Sequence, residues 1–126
     1  MDYSLPKPTA MQVIWLVRDY DRLHKLAEEA TPEELKEKYI FRQMRAVDHA
    51  LDAVTKIFRA DVRQKLRVAL ILAYQDKENT WEKLDSGILR GDFGYARQRF
   101  IYEIASELEL VLEEGKAGVE NKSRLR

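Results

Sequence analysis

The chain has 126 residues and 14.8 kDa, enough for one domain with a single modest core. Its 22 basic and 22 acidic residues cancel, which excludes a strongly basic nucleic-acid binder as a description of the whole chain. The absence of cysteine excludes disulfides, thiolate catalysis and cysteine-ligated metal centres.

Few prolines and glycines, and clustered ones, favour an all-α domain of about five long or medium helices. The opening "MDYSLPKP" holds two prolines and reads as an extended arm, with Thr9 as the N-cap of a first helix running to Ala30. Val13, Leu16, Val17, Tyr20, Leu23 and Leu26 recur on one face of it. "TPEE" starts a second helix: Thr31 caps, Pro32 suits the first turn, and Glu34 closes a capping box. That helix is predicted to reach Phe58, burying Leu35, Tyr39, Met44, Val47, Leu51, Val54 and Phe58.

A third helix over 61–74 carries Val62, Leu66, Ala69, Leu70 and Ala73, and its "VALILAY" half is apolar nearly all round, as a central core helix would be. Thr80 is placed to cap a short fourth helix, "WEKL", with Trp81 and Leu84 inward. Beyond a glycine-bearing turn, Asp92 is placed to cap a fifth helix reaching Glu113, with Phe93, Ala96, Phe100, Ile101, Ile104, Ala105, Leu108 and Val111 inside. Trp15, Trp81, Phe58, Phe93 and Phe100 fall on these apolar stripes, so packing is their default role. The domain is therefore 1–126, with a supporting and oligomerising helical pair at 1–59, a functional region at 60–114 and a flexible tail at 115–126.

Catalysis has little to draw on. His24 and His49 are the only histidines, and Asp48, His49 and Asp52 spread around a helix rather than converging. No phosphate loop, nucleophile elbow or paired-histidine metal motif occurs, so no catalytic residue, no metal and no cofactor is expected. The apolar runs "MQVIWLV" and "VALILAY" are too short to span a bilayer, and no leader peptide is recognisable, so a cytoplasmic protein with no membrane partner is expected.

Charge is distributed in patches. Lys56 to Arg67 carries five basic residues against one acidic, and Arg90 to Tyr102 three against one. A short helix, a turn with Ile88 and a longer helix have the order of a helix-turn-helix, whose second helix enters the major groove. Tyr95, Gln98, Arg99 and Tyr102 share a flank of that helix suited to phosphates and base edges. Arg90 and the helix N-terminus can hold a phosphate, and Arg59, Arg63 and Arg67 stand ready for the flanking backbone.

In order and spacing, "VRQKLRVALILAY", "TWEKL", "GIL" and "YARQRFIYEIASELEL" resemble the ArpU/RinA-type late-gene transcription regulators of phages infecting Gram-positive bacteria. The resemblance covers about 50–110. It implies a sigma-region-4-like helix-turn-helix that activates phage or prophage late genes in the cytoplasm of a bacterial host. Double-stranded DNA would be its partner, with RNA polymerase as a further one, and the chain would work as a homodimer or higher homo-oligomer. Carried over, the family pattern places DNA contacts at Arg90, Tyr95, Arg97, Gln98 and Arg99. Asp92 departs from the usual Ser or Thr cap, and Asp85 from the usual small residue between the crossing helices. Two alternatives stand beside this: a phage assembly or DNA-packaging oligomer of the small-terminase kind, and a protein-binding adaptor meeting an acidic partner.

Overall fold

The computed structural model describes residues 3–110. Among them the chain is all-helical: α1 (Lys7–Arg18), α2 (Tyr20–Glu28), α3 (Pro32–Glu37), α4 (Tyr39–Thr55), α5 (Arg63–Gln75) and α6 (Arg90–Glu107). Three-residue 3-10 turns at Ala60–Val62 and Trp81–Lys83 complete it. No helix among the described residues is long and apolar enough to cross a membrane.

The predicted helices are divided where local chemistry diverts the backbone. α1 starts at Lys7, not after Thr9, because Pro6 and Pro8 suit a helix entry where no amide donor is needed. The first helix breaks for one residue at Asp19, whose carboxylate takes the Arg22 guanidinium at 2.6 and 2.7 Å instead of capping the next turn. The Thr31–Glu34 capping box forms as expected, with Glu34 N–H donating to Thr31 Oγ1 at 3.2 Å and Thr31 N–H to Glu34 Oε1 at 3.0 Å. The second helix then breaks at Lys38, which is extended (φ −75°, ψ 132°). α3 buries no side chain, so it can turn away from the core that α4 must cross. Arg45 donates to the Leu35 carbonyl left open at the end of α3.

α6 is the axis of the fold. It packs on α4, α1 and α5, and Phe93, Ala96, Phe100, Ile101, Ile104 and Ala105 are buried between them. α4 supplies Phe41, Met44, Val47, Leu51 and Val54, and α5 the expected Leu66, Ala69, Leu70 and Ala73. Several expectations about burial are corrected. Leu26 and Tyr39 are exposed, since α2 and the start of α4 turn those faces outward. Trp15 is 62% exposed, lying under the Arg18 guanidinium (5.0 Å to the ring) instead of in the core. Val68 and Leu72 of "VALILAY" are exposed, because α1, α4 and α6 cover only one side of α5.

α6 also begins and ends early. It starts at Arg90 with Leu89 as an N-cap that offers no side chain, so Asp92 lies inside the first turn and Gly91 and Gly94 within the helix. It ends at Glu107 in a Schellman motif: Glu109 is left-handed (φ 60°), Glu109 N–H reaches Ser106 O and Leu110 N–H reaches Ala105 O at 2.8 Å. Val111, Glu113 and the tail at 115–126 lie outside the described residues.

Burial and hydrogen bonding raise three of the phenols. Tyr20, half-buried and donating to Asp48, is held well above its ordinary range, first by desolvation and then by that bond. Tyr74 is raised chiefly by burial, and Tyr3 chiefly by its bond to Tyr95. A raised phenol favours the fold only while protonated: this stability is complete below about pH 10 and lost as pH climbs toward the folded values. In a 295 nm titration, these three of the six tyrosines are expected to ionise late, together with loss of helical circular dichroism. Titration of all six near pH 10 in a still-folded protein would contradict it.

Candidate functional site

The loop before α6 is fixed by small, specific contacts. Gly87 has φ +80°, and a Cβ there would meet Val62 Cβ and Cγ1 at 3.0 Å. Ser86 is buried, its hydroxyl bonded to the Ile88 backbone, and Trp81 Nε1–H donates to Ile88 O at 3.1 Å. These bonds hold Leu89 and thereby aim the N-terminus of α6 outward. The segment predicted as the first helix of a helix-turn-helix is only the Trp81–Lys83 turn, without a Thr80 side-chain cap. "WEKL" is too short to propagate a helix between its loops, so α5 and a pinned loop present α6 instead.

The predicted contact residues separate into two groups. Arg90 is 73% exposed at its side chain and meets Glu82 only at 3.7 Å. Gln98 is exposed, and Tyr95 is 44% exposed. Gly91 and Gly94 lie beside them, and a Cβ added at either would have no heavy atom within 4 Å. The exposed ridge of the first two turns is therefore Arg90, Gly91, Gly94, Tyr95 and Gln98.

The other arginines are engaged within the chain. Arg97 stacks over Tyr74 (4.9 Å), whose hydroxyl donates to the Arg97 carbonyl at 3.1 Å. Arg99 pairs with Glu103 at 3.4 Å, donates to the Tyr95 hydroxyl at 3.3 Å, and is only 22% exposed at its side chain. Arg63 closes the end of α4 by donating to Phe58 O at 2.9 Å and Lys56 O at 3.1 Å. Arg67 binds Asp52 at 2.5 Å and Arg59 binds Asp61 at 3.4 Å, so the basic run at 56–67 is not a bare stripe.

Sequence spacing also misses the N-terminal arm. Tyr3 lies edge-on to Tyr95 (5.7 Å) and Tyr102 (5.3 Å), with Arg99 over its ring (5.5 Å). The flank expected to be open is thus half covered by a residue from the opposite end of the chain. No local signal announces it, since an aromatic in an arm has no periodic partner.

Both acids near the surface have structural roles. Asp85 pairs with Lys65 at 3.3 Å. Asp92 stands in the first turn of α6, where a carboxylate favours the helix dipole. The Asp48, His49 and Asp52 cluster disperses: Asp48 faces Tyr20 and His24, His49 Nδ1 meets Glu107 at 2.9 Å, and Asp52 meets Arg67. No group of three metal-type ligands occurs among the described residues. Comparison with protein-family models, curated proteins and solved structures finds no match to this chain.

Proposed function

We propose that the chain is a non-enzymatic, sequence-specific DNA-binding regulator that meets double-stranded DNA with the first two turns of α6. The observation that carries this is the pair Gly91 and Gly94. Each glycine costs a helix about 1 kcal/mol relative to alanine, yet nothing within the fold needs the missing Cβ at either position. Their use makes physical sense if a partner's backbone approaches closely, beside Arg90 for phosphate and Gln98 for a base edge. The uncapped amides at the start of α6 add partial positive charge on the same side.

Following the resemblance to ArpU/RinA-type regulators, the setting we propose is late-gene activation in a bacterial cytoplasm, with RNA polymerase as a second partner. Exposed Met11 and Trp15 on α1 support a homodimer. Among the contacts carried over from that family, Arg90, Tyr95 and Gln98 are the direct ones in this proposal. Arg97, Arg99 and Arg63 serve by holding the helix and its neighbours.

On a duplex selected from a random pool, Gln98→Ala is expected to lose about 1–3 kcal/mol at the preferred site and little elsewhere. Arg90→Ala should weaken all duplexes alike and lower the salt slope by about 1. If both variants match wild type in a salt-resolved anisotropy titration, α6 is not the reading element.

A further inference from the structure

A cleft of about 520 Å³ adjoins the exposed ridge at the α6 N-terminus, sharing Arg90 and Gly94 with it, between α1, the end of α5 and the loop that follows it. Four cations line it, Arg18, Lys77, Arg90 and Arg97, against a single carboxylate, Glu82. They arrive from separate elements: α1, the loop after α5, and two turns of α6. Several cations outside the cleft have close carboxylates, as in Arg22–Asp19, Lys38–Glu34 and Arg67–Asp52.

Within the cleft, among the described residues, only Arg90 has an acid, Glu82 at 3.7 Å. Arg18 donates its Nε–H to the Tyr74 carbonyl at 3.0 Å, and Arg97 stacks on the Tyr74 ring, so both guanidinium groups are held in place without an acid. Arg97 Nε is fully buried and has no hydrogen-bond partner among the described residues. Lys77 has no salt-bridge partner among them either. A buried charge-bearing donor left unpaired is costly, and like charges gathered in one cleft repel. The repulsion falls when an anion enters. Trp81, half-buried, lines the same space and offers apolar surface to a flat ring.

We propose that this cleft binds a phosphate monoester carrying a planar ring, a ligand of mononucleotide size. The inference does not rest on DNA reading by α6: Arg90 and Gly94 are common to both surfaces, but Lys77, Arg18 and Arg97 lie outside that ridge. The same phosphate chemistry has a second source, the backbone of a duplex, and the experiment separates the two.

In a Trp15→Phe background, Trp81 is the single tryptophan and reports directly from the cleft. Titration with adenosine monophosphate is expected to give a saturable fluorescence change with a Kd below about 1 mM. Adenosine lacking the phosphate should bind at least about tenfold more weakly, and exposed Lys77→Ala should cost the monophosphate about tenfold, while Gln98→Ala leaves it unchanged. An added 20-base-pair duplex that fails to displace the nucleotide supports a free ligand. A duplex that displaces it, and whose own binding weakens in Lys77→Ala, supports a backbone phosphate in the same cleft. The proposal is overturned if neither monophosphate, inorganic phosphate nor duplex gives a saturable response. It is equally overturned if adenosine binds as well as its monophosphate, or if Lys77→Ala binds like wild type.

Discussion

Phe100→Ala is expected to destabilise the protein by about 3–5 kcal/mol, the largest loss available to a single side chain here. Phe100 is fully buried on α6 and lies 6.2 Å from the Tyr74 ring. Its ring is part of the core shared by α1, α4, α5 and α6. Removing it forfeits apolar burial and leaves a cavity that four packed helices cannot close without moving. Domains of this size hold about 5–15 kcal/mol in total, so the variant is expected to melt roughly 10 °C or more below wild type. A thermal melt by circular dichroism checks it. A fall of under roughly 3 °C would mean that α6 is not the axis of the core.

Gly87→Ala is expected to cost about 2–4 kcal/mol, from two independent sources. Its φ of +80° disfavours any L side chain, and the new Cβ would lie 3.0 Å from two Val62 carbons. Val62 is buried under the loop and cannot retreat freely. Relief therefore falls on Ser86, Ile88 and Leu89, the residues that aim α6. The variant should lose stability, and the near-ultraviolet signal of Trp81, bonded to Ile88 O, should change with it. A stability equal to wild type would show that the loop is free to rearrange, and the pinned presentation of α6 would have to be abandoned.

Where a signal is local, it carries through from sequence to fold. The capping box at Thr31 and Glu34 involves residues three apart, and it forms as spaced. The stripe of Leu66, Ala69, Leu70 and Ala73 is buried as its 3.6-residue period implies. Boundaries are lost where tertiary context overrides local preference. Gly91 and Asp92 look like turn residues but lie inside α6, since the burial of Phe93 and Ala96 extends the helix over them. Glu109 takes a left-handed conformation normally left to glycine, so nothing in its identity announces the end of the helix. The candidate site is legible in part. Tyr95 and Gln98 on one flank of α6 follow from spacing, but the place of Gly91 in the ridge and which arginines are free do not. Arg63 is tied to the Lys56 and Phe58 carbonyls just after α4, Arg97 to Tyr74 on α5, and Tyr3 comes from the far end of the chain.

The proposed function requires a close approach of DNA to the glycine-bearing ridge of α6, and stability and binding are there expected to move in opposite directions. Gly91→Ala and Gly94→Ala place methyl groups in open space on a helix, so each should stabilise the free protein by up to about 1 kcal/mol. The same methyl groups would stand between α6 and the duplex. Measured together on the double variant, a raised Tm with DNA affinity reduced at least about tenfold is the predicted result. A raised Tm with unchanged or tighter DNA binding would contradict it, as would a wild-type chain that binds no duplex at low salt.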